Sequence, residues 1–423
     1  MRNRRLIIAL WTVGIVLAVI CVIGLGFVNY RYCQQNPGGN DFLVHWVGTQ
    51  VFMKEGISPY SDTTALRIQT LAYGRPALPG EHELRVAYPF YSIILFIPFA
   101  LIQDFTLARA VWMTVLEILL ILMAFASQRL FQWKTNLVVL ALFLLFSLLW
   151  YHAVRPVING NAVILIALGV TAGLWALKIG YDELAGVVLA FTTIKPQVVL
   201  LIILFIFLWC IYHRRWRFVA WFLGALAFLF TIAFLFLPDW IIQNIREIVR
   251  YPGYNPPGTP GAAFAVWLPA MGNRLGWILS GLLTIILLVE WWQAFRRSGD
   301  FQEALWTACL TLVISQWIGI QTDPGNFIVL FPALVLVFAT WDMRFKRFGK
   351  ILTITSMLVL LFGIWAIFLG TVEYGSQPQQ SPVMFFPLPG FLILALYWVR
   401  WWVVSRPRAW FDELYAKENQ KIQ

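Results

Sequence analysis

Continuous apolar runs, each near the length of a membrane-crossing helix, recur from one end of this chain to the other. The first is Leu6 to Val28, and later ones include Ala110 to Ser127, Phe218 to Leu237, Leu275 to Trp292 and Ile351 to Gly370. A helix needs about 20 apolar residues to cross the hydrocarbon core. Strands of a membrane barrel would instead alternate apolar and polar residues over about ten positions, and these runs do not alternate. Only 12% of the residues are charged, about half of what a soluble domain carries. The sequence therefore predicts an all-α polytopic membrane protein, a single integral membrane domain over residues 1–423 with about 11–13 transmembrane helices.

The net charge of +11 sits in short hinges between apolar runs. That is the distribution the positive-inside rule expects, so the basic residues report topology and nucleic acid is not expected as a partner. "HRRWR" (213–217), "FRRSGD" (295–300), "RFKRFGK" (344–350) and the tail 405–423 are expected in the cytoplasm, together with an uncleaved N-terminus. Counting between these anchors puts the connections 29–86, 238–274, 370–384 and "QTDPGN" (321–326) on the outer side. The segment Ala87 to Gln103, interrupted by Pro89 and Pro98, reads either as a full crossing or as a re-entrant half-helix. The re-entrant reading is preferred because it also puts "RLFQWK" (129–134) in the cytoplasm. It breaks the run Leu184 to Cys210 at Lys195-Pro196 and gathers Asp41, Arg155, Asn159, Asn161 and Lys195 on one side.

An ionisable group at membrane depth marks function unless it is paired or snorkels to the surface. Lys195, in "LAFTTIKPQVVLLI", must snorkel, pair with an acid or meet an anionic ligand. Asp41 follows the turn "NPGGN". Beyond it Phe42, His45, Trp46, Thr49, Phe52 and Met53 recur at three to four residues, which predicts an amphipathic helix on the membrane surface in the first outer loop. Asp41 reads either as the N-cap of that helix or as a base. Arg155 and the amides Asn159 and Asn161 form a polar patch, Tyr88 opens another, and Asp323 either caps the next helix or joins the site. The four cysteines show no CxxC or metal spacing, and the histidines no HExxH, so no metal is expected. There is no phosphate-binding GxxxxGK[ST] and no GxSxG elbow. These parts suit a lipid-linked, phosphate-bearing substrate. They also suit a secondary transporter or lipid flippase, though the internal repeats common in transporters are not evident.

The order of the motifs resembles that of the GT-C membrane glycosyltransferases, most closely glycosyltransferase family 87. The resemblance runs through "DFLVHWVGTQVFMKEGISPYS", "AYPFYSIILFIPFALI", "INGNAVILIALGV" and "LAGVVLAFTTIKPQVVLLIILF", closed by "HRRWR", with the core motifs over residues 87–217. Phe90 stands where the family pattern has a second proline, and Asn161 where it has glutamine. The resemblance implies a GT-C-like fold and an inverting glycosyltransferase of a prokaryotic plasma membrane. Its donor would be a polyprenyl-phosphate sugar, mannose-like, and its acceptor a glycolipid or envelope glycan on the outer face. No cofactor is implied. It further implies Asp41 as the general base, with Lys195 and Arg155 at the donor phosphate. His45, Trp46, Tyr88, Asn159, Asn161 and Asp323 are expected to contact substrate, and the loop Tyr251 to Trp267 to form a lid or acceptor groove.

Overall fold

The computed structural model describes residues 2–255, 258–296, 301–320, 322–374 and 378–404. The basic tail 405–423 and most of the "FRRSGD" hinge lie outside the described residues. The chain is an all-α polytopic membrane protein, its only described β-structure a two-residue ladder of Glu373–Tyr374 with Pro378–Gln379.

Among the described residues, seven helices are long and apolar enough to cross a membrane, or eight if the pair α6 (Leu137–Leu149) and α7 (Tyr151–Asn159), bent by 42°, counts as one. The sequence count of eleven to thirteen also took in shorter apolar helices: α8 (Val163–Lys178), α10 (Pro196–Tyr212), α15 (Phe301–Ser315) and the segment Phe90–Ala100. That last segment is a 3-10 turn followed by α4 (Ile93–Ala100). At 1.5 Å per residue it rises only about 16 Å, half of what a crossing needs.

The apolar helices fall into two environments. In the first, α1 (Arg2–Gln35), none of the most apolar stretch is buried, and Phe27 and Val28 are exposed. Such a surface belongs in lipid. At the other extreme, every side chain of α15 from Glu303 to Ser315 is buried, and the span Pro324–Arg344, ending in α16 (Phe331–Arg344), has 89% of its apolar stretch inside the protein. The core is therefore built around α15 and α16, with α1 held at the edge against α5 (Phe105–Leu130). There Asn29 donates to Thr114 Oγ1 (3.0 Å) and Glu117 Oε2 (2.7 Å).

Between α1 and α4 stand α2 (Asn40–Glu55) and α3 (Asp62–Tyr73). Helix α3 is amphipathic, burying Ala65 and Ile68 while Leu66 and Leu71 stay exposed. Helix α2 corrects the sequence reading. It does not lie on a surface but is buried on nearly every side from Phe42 to Thr49. Phe42 stacks on Phe105 and Trp112 at 6.0 and 5.8 Å. Trp46 donates its indole N–H to the carbonyls of Phe99 and Ile102. The aromatic spacing was seen, but α4 and α5 fold over the face that would otherwise meet lipid.

Helix α2 ends as expected, at Gly56 with φ 67° and its N–H on the Phe52 carbonyl. The connection to α4 is clamped to α12 (Trp240–Arg250). Arg85 bonds Glu247 and Asp62, both at 2.7 Å, Arg250 meets Glu83 at 2.8 Å, and Asn244 donates to the Ala87 carbonyl at 3.0 Å.

Candidate active site

Three breaks in helical structure build the site. The first is the turn Pro37–Gly38–Gly39 before α2. Gly39 has φ 77°, and a Cβ there would lie 2.5 Å from Arg109 Nε. The second is the end of α7, where Gly160 has φ 69° and a Cβ would lie 2.4 Å from that of Phe42. Left-handed backbone with such close approach requires glycine at both places. The two glycines let the start of α2 rest against the end of α7, and Trp112 Nε1 fixes the contact through the Gly160 carbonyl at 2.8 Å. The third break is Thr193–Lys195, between α9 (Asp182–Thr192) and α10. Pro196 opens α10, and a residue before proline is pushed out of the α region. Lys195 accordingly has φ −126° and ψ 73°.

These breaks bring Asp41, Asn161 and Lys195 together, as the sequence predicts. Asn161 Nδ2 donates to Asp41 Oδ2 at 3.0 Å. Its Oδ1 accepts from Lys195 Nζ at 2.8 Å and from the Val163 N–H at 2.9 Å. Lys195 also donates to Asn326 Oδ1 at 2.7 Å, and Asn326 continues through Thr322 to Gln316. Asp41 and Lys195 thus share one amide without forming an ion pair among the described residues. Asp41 is not the N-cap. That position is Gly39, and the Asp41 carboxylate sits in the first turn of α2, turned to Asn161. Burial raises its pKa above the usual carboxylate range, and the nearby Lys195 and the Asn161 donor oppose the rise.

Around this chain stand the other residues singled out from the sequence. The Tyr88 ring lies 5.4 Å from Lys195 Nζ and 4.1 Å from the His45 ring. His45 also stacks on Phe96 at 4.6 Å. Burial, helped by Lys195, pushes the His45 pKa down to about 3, so its ring is neutral and a weak base. Arg155 Nη2 is 3.8 Å from Asp323, Nη1 donates to the Tyr151 hydroxyl at 3.3 Å, and the guanidinium lies against the Gln380 amide. Asp323 caps the next helical turn through the Gly325 N–H at 2.6 Å and faces Arg155.

Trp46 is engaged with α4 and α5 rather than with this cluster. Asn159, the half-buried last residue of α7, takes no part in the hydrogen-bonded chain. Tyr251 senses the cluster: burial, then Asp41 and Asp323, raise its pKa. Asn326, the last residue of "QTDPGN", is not among the residues the sequence marks for the site. An amide beside a buried lysine's outer side is the signal that was there to read. Among the described residues, no three His, Cys, Asp or Glu side chains converge as a metal ion would require.

Fold and site define a membrane-embedded protein with a buried acid–amide–lysine chain set at three helix breaks. The chain belongs to glycosyltransferase family 87, whose model matches residues 87–316. It is therefore a glycosyltransferase by family. The match contains Tyr88, Arg155, Asn161 and Lys195. Asp41 and His45 lie before it and Asp323 and Asn326 beyond it. No curated protein and no solved structure matches significantly.

Proposed function

We propose that the protein is an inverting glycosyltransferase that moves a hexose, mannose-like, from a polyprenyl-phosphate donor to a glycolipid or envelope glycan acceptor. The reaction takes place on the extracytoplasmic face of a prokaryotic plasma membrane, with both chain termini in the cytoplasm. The observation that carries this reading is the chain Asp41–Asn161–Lys195, in which a base and a cation are held close but unpaired.

In this mechanism an acceptor hydroxyl gives its proton to Asp41 as its oxygen attacks the sugar C1. The bond from C1 to the donor phosphate breaks, and the phosphate leaves with the electron pair. Attack from the face opposite the phosphate inverts the anomeric centre. Lys195, with Arg155 at the rim, takes up the charge that develops on the leaving phosphate. Phosphate leaves readily, so no second carboxylic acid is needed, unlike in glycoside hydrolysis. A raised pKa suits Asp41, because a base works best when its pKa approaches the operating pH. Tyr88 and His45 form a wall beside the sugar, and the loop from Tyr251 closes over it.

The test is transfer of labelled hexose from a polyprenyl-phosphate donor by membranes or purified protein. Asp41→Asn should lower the rate by about 10²–10⁴-fold. The same variant should melt no lower than the parent. The folded carboxyl has a raised pKa, so its ionisation costs stability as pH rises through that pKa, and asparagine carries no such cost. Transfer at the parental rate would reduce Asp41 to a structural residue.

A further inference from the structure

The side of α2 that faces away from Asp41 borders a groove of about 1030 Å³, enclosed by the end of α1, α2, α3 and the start of α5. Its walls are mixed, apolar at Leu43 and Val47 on α2 and at Leu66 and Leu71 on α3, and polar at Gln34, Gln50 and Thr63. At its inner end lies Arg109, which is only 1% exposed. Nη1 donates to the Asn36 carbonyl at 2.7 Å and Nη2 to the Ile158 carbonyl at 3.1 Å, while Nε has no partner. Among the described residues no carboxylate pairs with it. A buried cation without an anion is expensive, above all beside hydrocarbon. The groove also carries Lys54, Asp104, and Glu55 paired with Arg67.

Beyond its mouth, the groove continues into apolar surface. Leu107 and Val111 on α5 and Phe27 and Val28 on α1 are all exposed. A molecule that satisfies both ends must bring an anion to Arg109 and hydrocarbon to the α1–α5 surface. We infer that this groove is a binding site for an anionic phospholipid, its phosphate on Arg109 and its acyl chains along α1 and α5. The site is separated from the Asp41 chain by the body of α2, and it does not depend on the reaction proposed above. It touches that reaction at one point: Arg109 packs under Gly39 and holds the Asn36 carbonyl, so an occupant would brace the turn that presents Asp41.

The test is native mass spectrometry of the full-length protein in detergent, offered phosphatidylglycerol or phosphatidylcholine, with inorganic phosphate as competitor. One phosphatidylglycerol should be retained at least about tenfold more tightly than phosphatidylcholine. Arg109→Gln should abolish that preference. Leu66→Glu, at an exposed rim position where folding is not at stake, should weaken phosphatidylglycerol binding about fivefold by like-charge repulsion. Equal retention of the two lipids would overturn the assignment. So would undiminished binding by the Leu66→Glu variant, or full displacement of the lipid by millimolar phosphate, which would make this an inorganic-anion site.

Discussion

Arg85 and Lys195 are both buried cations, and their surroundings differ in kind. Arg85 is closed by carboxylates, Glu247 and Asp62. Lys195 is met by two neutral amides, Asn161 and Asn326. A cation matched by acids has no charge left to offer, whereas one solvated by amide oxygens can still draw in a phosphate. The first arrangement ties the connection before α4 to α12; the second keeps a charge in waiting. Arg109, met by two carbonyls and the Tyr32 ring and by no carboxylate among the described residues, belongs with Lys195.

The comparison breaks most readily at Arg85. Arg85→Met leaves Glu247 buried beside it without its partner, a loss of about 3–5 kcal/mol. A marked drop in the melting temperature of the purified protein should follow. A melting temperature within a degree of the parent would show that the clamp is dispensable. Lys195→Met should do the reverse. Its effect falls on turnover, lowering kcat/KM for the donor by about 10²–10³-fold, and it should destabilise less than Arg85→Met because among the described residues no acid is ion-paired to it. If Lys195→Met melted far below the parent with its residual turnover unaltered, Lys195 would belong with Arg85.

Much of this was legible in the sequence because membranes make polar residues conspicuous. Asp41, Asn161 and Lys195 each interrupt or border an apolar run, and Pro196 marks the break that exposes Lys195. Arg109 was not legible. It lies one residue before an apolar run, where an arginine ordinarily snorkels, and only the fold shows it turned inward beneath Gly39. The burial of α2 was hidden for a related reason. An aromatic stripe looks alike whether lipid or protein covers it, and the cover comes from α4 and α5, about fifty residues later. The short apolar segments were found, but their length as helices, which decides whether each can cross, depends on breaks that propensity places poorly.

Gly160 tests whether the two halves of the site must touch. In Gly160→Ala the new methyl meets Phe42, and the backbone must hold φ 69° with a side chain present. The strain is about 1–3 kcal/mol, enough to lift α2 away from Asn161. Transfer should fall about tenfold, in line with that strain, while the Arg85 clamp survives and the loss of stability stays below that of Arg85→Met. Unchanged transfer would mean that Asp41 reaches its substrate without the Asn161 contact.

The smallest effect concerns the proton itself. Burial raises the Asp41 pKa, and the Asn161 N–H partly offsets the rise by favouring the carboxylate. A general base is active when ionised, so kcat/KM should fall on the acid side through a limb that lies above the ordinary carboxylate value of about 3.9. Asn161→Ala removes that donor, and the limb should then move to still higher pH. At alkaline pH both enzymes have an ionised Asp41, so their rates should draw together, leaving only the loss of one Lys195 acceptor. The measurement is a pH profile of kcat/KM for parent and variant at saturating acceptor. A limb at the same pH in both would separate Asn161 from the base and leave it as a partner of Lys195 alone, which would put the neutral amide on the cation's side of the comparison and the acid on its own.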